Sequence, residues 1–171
     1  MPNNNNDFDN ELKDNLKYLE LRKMIEKADN AVAAAVAATA ATGAIPIPFA
    51  DAPLLIGEQV ALMATISGIF GMNVKKDGLK ALAVAALGVG GATVVGKTLA
   101  SNLLKLIPGA GTVAGAAISG GTAGVVTLAM GKAYIEVCKA IKMGKLNEDE
   151  LTSSKGVNML KAEFKKQFKK K

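Results

Sequence analysis

The 171-residue chain has no histidine, no tryptophan and one cysteine. Without imidazole there is no histidine base, no histidine metal ligand and no catalytic triad built on one. Zinc sites of the usual Cys/His spacing are excluded as well. A lone cysteine rules out an internal disulfide. Cys138 falls inside an apolar helical pattern, where a thiol acts as a small buried hydrophobe rather than a nucleophile. Aromatic residues make up only 4% of the chain, so close contact of small side chains must replace bulk in any core.

Charge is also missing over long intervals. No charged residue lies between Asp29 and Asp51, between Glu58 and Lys75, or between Lys105 and Lys132. The first and third gaps are long enough for a bilayer-spanning helix, which needs about 17–25 residues. Their content is poor for insertion, because alanine, glycine, serine and threonine dominate where leucine, isoleucine, phenylalanine and valine would be needed. Small-residue spacings such as Gly111–Gly115 and Gly120–Gly124 suit close helix contacts in lipid, and equally in a water-exposed bundle.

What is present reads as helix. Ala31, Ala33, Ala34, Ala35, Ala37, Ala38, Ala40 and Ala41 give strong helix propensity and let neighbouring backbones approach closely. Residues 1–9 read as a disordered leader. A helical pattern from about Asp9 to Asn30 places Leu12, Leu16 and Leu19 on one apolar face, and it can run on into the alanine segment. Gly43, Pro46, Pro48 and Pro53 break the helix, with Asp51 placed to cap the next one. That helix spans about Pro53–Phe70 and closes at Gly71-Met72-Asn73. Lys75–Gly78 reads as a charged turn, and Leu79–Leu106 as helix softened by Gly88, Gly90 and Gly91. Pro108, Gly109 and Gly111 mark a second turn, and Thr112–Met143 is helical again. Asn147–Glu150 has the spacing of a capping box that opens a short helix. In the tail, Leu160, Phe164 and Phe168 repeat every four residues among lysines, a stripe able to dock on the body or on a membrane surface.

These readings sum to an all-α bundle of about four long Ala/Gly-rich helices in two hairpins, plus a short basic amphipathic C-terminal helix. The divisions are a leader (1–9), a helical domain (10–143) and a basic helical tail (144–171). The net charge of +6 is uneven: residues 1–30 carry five basic and seven acidic groups, residues 145–171 eight and four. The basic end can attract anionic lipid, and Phe164, Lys165, Lys166, Phe168, Lys169, Lys170 and Lys171 are the expected lipid or partner contacts. Nucleic acid is not expected, since the cluster lacks a reading helix or stacking platform. The polar, acidic start argues against a secretory signal, so the expected location is at a membrane, peripheral or integral, or in the cytoplasm.

Gly91-Ala92-Thr93-Val94-Val95-Gly96-Lys97-Thr98 matches the phosphate-loop pattern G-x-x-x-x-G-K-T. In a working loop the backbone around Gly91 and Gly96 cradles phosphates, Lys97 meets the outer ones and Thr98 holds magnesium. That chemistry needs a strand before the loop and an aspartate ending another strand. The alanine-filled Leu79–Leu87 stretch is better helix, no Asn-Lys-x-Asp signature occurs, and the match reads as coincidence. Asp51, Glu58 and Glu136 lie among apolar residues. Asp51 is expected to cap, and the two glutamates to reach solvent or lysines such as Lys132 and Lys139, with no acid–base role.

Three ordered blocks carry a family resemblance. They are Ile45-Pro46-Ile47-Pro48-Phe49-Ala50-Asp51-Ala52-Pro53-Leu54-Leu55, then Leu103–Gly115 around Ile107-Pro108-Gly109-Ala110-Gly111, and then Ala129-Met130-Gly131-Lys132-Ala133-Tyr134-Ile135-Glu136. Over about residues 28–141 the chain resembles the bacterial domain of unknown function 697. That helical domain often follows an Era-like GTPase domain, with relatives among YcjF-type membrane proteins. The resemblance implies no catalytic residues and no cofactor, and makes Pro46, Pro48, Asp51, Pro53, Pro108, Gly109 and Gly111 architectural. Fewer than thirty residues precede the matching part, so any GTPase is expected on a separate polypeptide. The leading expectation is a non-enzymatic accessory module, associated with a membrane or with a GTPase or other protein, with homo-oligomers left open. The alternatives are a soluble interaction domain without a membrane role and a nucleotide hydrolase using Gly91–Thr98.

Overall fold

A computed structural model describes residues 4–42, 52–87 and 120–169. They form five helices: α1 (Asn4–Thr42), α2 (Ala52–Ile69), α3 (Lys76–Ala86), α4 (Gly120–Lys142) and α5 (Ser154–Lys169). The architecture is an all-α bundle. The leucine-bearing segment and the alanine run are one continuous helix, α1, which begins at Asn4 inside the stretch set apart as a leader.

Residue chemistry explains most of the helix ends. At Gly71 (φ 64°) the α2 chain turns left-handed, with Gly71 N–H donating to Gly68 O at 3.0 Å and Met72 N–H to Ser67 O at 2.8 Å. Gly144 (φ 71°) ends α4 the same way, through Gly144 N–H to Ile141 O and Lys145 N–H to Ala140 O. Both are Schellman closures that satisfy the last helical carbonyls. The expected charged turn at Lys75–Gly78 is instead the first turn of α3, with Leu79 N–H donating to Lys75 O at 3.1 Å. Asp77 there sits favourably at the helix's positive end. The cap at Asn147 is half right. Glu150 Oε2 accepts from Asn147 N–H at 2.9 Å, but tight turns follow and α5 starts only at Ser154. Ser153 supplies the cap, accepting from Lys155 N–H at 3.2 Å.

The core gathers the later half of α1 with α2, α3, α4 and α5. Met63 and Ile66 of α2, Phe70 just after it, Leu79 and Leu82 of α3, and Met130 and Tyr134 of α4 are fully buried, as are Leu160 and Phe164 of α5. The principal neighbour of α1 is α4, and Gly131 makes that approach close. A Cβ there would stand 2.5 Å from Val32 Cγ2 and 3.2 Å from Leu62 Cδ2. An ion pair, Lys132 Nζ to Asp29 Oδ1 at 2.8 Å, borders the same contact.

Among the described residues no helix is long and apolar enough to cross a membrane. This counts against the membrane-associated reading, whose spanning form no described helix supports. The alanine run continues a helix whose first part carries many charges. The apolar start of α4 runs into Lys132, Glu136 and Lys139. Gln59 and Ser67 of α2 turn their polar groups inward to other helices. The aromatic stripe of the tail, offered as a lipid contact, faces the core at Phe164.

Candidate interaction surfaces

The expected phosphate-loop residues Gly91, Gly96, Lys97 and Thr98 lie outside the described residues, as do Pro46, Pro48, Asp51, Pro108, Gly109, Gly111, Lys170 and Lys171. Pro53 is the second residue of α2, where a missing N–H costs nothing. Phe164 is 1% exposed and cannot meet an outside partner. Lys165 and Lys166 face outward, Lys166 pairing with Glu163 at 2.6 Å, while Phe168 and Lys169 belong to the last turn of α5. Glu136 pairs with Lys139 at 2.7 Å, as anticipated, but Lys132 goes to Asp29 instead.

Between α2 and α4 runs a polar seam that the sequence reading missed. Gln59 Nε2 donates to Thr127 Oγ1 at 2.9 Å, and both residues are buried. Near the other end of α2, Ser67 Oγ donates to Met63 O at 2.8 Å and lies 2.8 Å from the Tyr134 hydroxyl. Serine has one proton to give, so Tyr134 donates to Ser67. Thr127 and Tyr134 are seven residues apart and so share a face of α4. That spacing was the available signal.

Burial pushes the Tyr134 hydroxyl far above its ordinary range, and does the same to the neighbouring Cys138 thiol. Neither group ionises near neutral pH. The seam orients two helices and supplies no base or nucleophile.

A groove of about 260 Å³ opens where α1, α2 and α4 meet, walled by Ala35, Ala38 and Thr39, by Ala61 and Thr65, and by Thr127. It is smaller than the roughly 300–1,000 Å³ of ordinary ligand pockets. Among the described residues no three His, Cys, Asp or Glu side chains gather to hold a metal ion.

Among the described residues, an exposed apolar stripe lies on α1. Every residue from Asp7 to Glu20 is exposed, including Phe8 (65%), Leu12 (49%), Leu16 (52%) and Leu19 (50%). At 3.6 residues per turn these four fall within an arc of about 80°. Leu21, Met24, Ile25, Ala28 and Val32, which meet the core, centre roughly 180° away. The apolar face of α1 therefore changes sides between Leu19 and Leu21. The face formed by Leu12, Leu16 and Leu19 is real, but it points away from the bundle.

A family model described as Domain of unknown function (DUF697) matches residues 6–159, taking in nearly all of α1 and reaching into α5. That span is wider than residues 28–141. No curated protein and no solved structure matches the chain.

Proposed function

Because the chain belongs to the DUF697 family, we propose that it is a non-enzymatic helical module that works by binding other protein chains through the outer face of α1. The single observation that carries this reading is the exposed stripe of Phe8, Leu12, Leu16 and Leu19 on a segment with no contact to the core. A helix of this length is marginal in water without a packed face, and apolar residues aligned at helical spacing are how helices dock on one another. Among the described residues the interior hydroxyls and thiol serve packing: Tyr134 and Ser67 bond to each other, Gln59 Nε2 bonds to Thr127, and Cys138 is buried in the core. Helices paired in two hairpins, with turns at Pro46–Pro53 and Pro108–Gly111, form the scaffold in this proposal. A GTPase is the partner class that the family resemblance implies.

The test is a comparison of the full chain with a Leu12→Asp/Leu16→Asp variant as baits in chemically cross-linked extracts of the source cells. Both should give the same circular dichroism spectrum. The unaltered chain should retain chains, its own or another protein's, that the variant loses. Identical capture by both would sink the reading.

A further inference from the structure

We propose that the outer face of α1 pairs with the same face of a second copy of this chain, the two helices running antiparallel. The inference rests on the interaction reading above and names its occupant. Three observations converge on a second copy.

First, Phe8, Leu12, Leu16 and Leu19 are spaced by four, four and three residues, close to the seam of a two-helix coil. Pairing centred near residue 14 sets Leu12 against the second copy's Leu16 and Phe8 against its Leu19. The stripe is thus complementary to itself under a two-fold axis, as an isologous interface requires.

Second, the flanking charges are split along the helix. Asp9 and Glu11 outnumber Lys13 beside the start of the stripe, and Arg22 and Lys23 outnumber Glu20 beside its end. Antiparallel pairing brings the acidic start of each copy toward the basic end of the other. Parallel pairing would set like against like.

Third, the stripe lies about opposite the core-facing side of α1, so a second helix can reach it without displacing any of the described helices. The segment from Asp7 to Glu20 extends for about 20 Å, room for one self-complementary coil segment. An interface this small fits a dissociation constant in the micromolar range, with exchange between free and paired chains.

Two measurements on the purified full chain decide the matter. In sedimentation equilibrium from roughly 1 to 100 µM, the average mass should rise from 17.5 kDa toward twice that value. Leu12→Asp/Leu16→Asp should hold the monomer mass throughout. For orientation, Leu12→Cys and Leu16→Cys are prepared separately and oxidised alone and mixed. Cys138 is buried and takes no part. The mixed sample should form the 12–16 disulfide at least about tenfold faster than either protein alone forms its own. Homodisulfides at equal or greater rate would overturn the antiparallel arrangement. A monomer at every concentration would overturn self-pairing, and only the extract comparison bears on whether the face binds another protein.

Discussion

The contact of α1 with α4 at Gly131 gives the most exposed test of the fold. Replacing Gly131 by alanine would normally stabilise a helix interior by about 1 kcal/mol. Here the added methyl would lie 2.5 Å from Val32 Cγ2, 3.0 Å from Val32 Cγ1 and 3.2 Å from Leu62 Cδ2. A helical valine is held almost entirely in one χ1 rotamer, so neither methyl can swing aside. The helices must separate, at an overpacking cost near the upper end of the usual range, about 3 kcal/mol. The net expectation for Gly131→Ala is a loss of about 2 kcal/mol, or a Tm lower by about 4–8 °C for a chain of this size. Val32→Ala alone should cost roughly 2 kcal/mol through lost burial and a cavity. In the double variant the new methyl occupies the space that Val32 vacates. The two changes should then couple favourably by about 3 kcal/mol. The assay is urea unfolding followed by circular dichroism for the four proteins of the cycle. A Gly131→Ala protein more stable than the parent, or a double variant that is simply additive, would refute the close α1–α4 contact.

Other consequences are equally direct. Gly156→Ala places a methyl against the backbone of Leu151, with the carbonyl carbon at 2.5 Å and Glu150 O at 2.7 Å. Backbone cannot yield, so the variant should lose more than about 3 kcal/mol in thermal or urea unfolding. Tyr134→Phe removes the hydroxyl donated to Ser67 and should cost about 1 kcal/mol, read as a shift in urea midpoint at unchanged slope. The Cys138 thiol should react with a chromogenic disulfide reagent only as fast as the chain unfolds, because burial keeps it both protonated and covered. Prompt reaction in native buffer would contradict its placement. The Glu150 carboxyl is held below its ordinary value of 4.5 by the Asn147 N–H and then by Lys155. Its contribution to stability is therefore full above that ordinary value and fades as pH falls through the lower folded one. Glu150→Gln should flatten the acid limb of a Tm-against-pH curve without changing its shape above pH about 6.

Some of this was legible in the residues and some was not. Gly71 announced the end of α2 because a left-handed position between an apolar helix and a polar turn is where glycine is nearly obligatory. Cys138 announced its burial because its neighbours at helical spacing are apolar. In the tail, the four-residue repeat of Leu160 and Phe164 fixed a docking face but could not say what it docks on, since periodicity carries no information about the partner. The seam was hidden for a related reason. Gln59 and Ser67 look like surface residues until Thr127 and Tyr134, far away in sequence, are brought beside them. Gly131 and Gly156 were invisible because an absent Cβ gains meaning only from what fills its place.

The reading of α1 failed in a more instructive way. A helical wheel drawn over the whole segment assumes one buried side, and on that assumption Leu12, Leu16 and Leu19 face the bundle. Once Leu21, Met24, Ile25, Ala28 and Val32 are seen to meet the core, the earlier leucines belong to a second stripe on the far side. Two opposed apolar stripes in succession are costly in a helix that meets only one body, because one of them must stay wet. The half-exposed leucines and Phe8 would each gain on the order of 1 kcal/mol by burial, while holding the helix straight up to the stripe adds ordering cost. The arrangement is stabilising only if something covers the stripe, so the change of face at residues 19–21 is where the sequence divides α1 into a part that builds the bundle and a part that reaches beyond it. Leu12→Asp and Leu16→Asp should accordingly leave the midpoint of bundle unfolding within about 0.5 kcal/mol at concentrations where the chain is monomeric, whereas Met24→Asp or Val32→Asp should unfold it. Equal damage from both pairs, measured in dilute urea titrations, would mean that the first half of α1 packs on its own bundle after all.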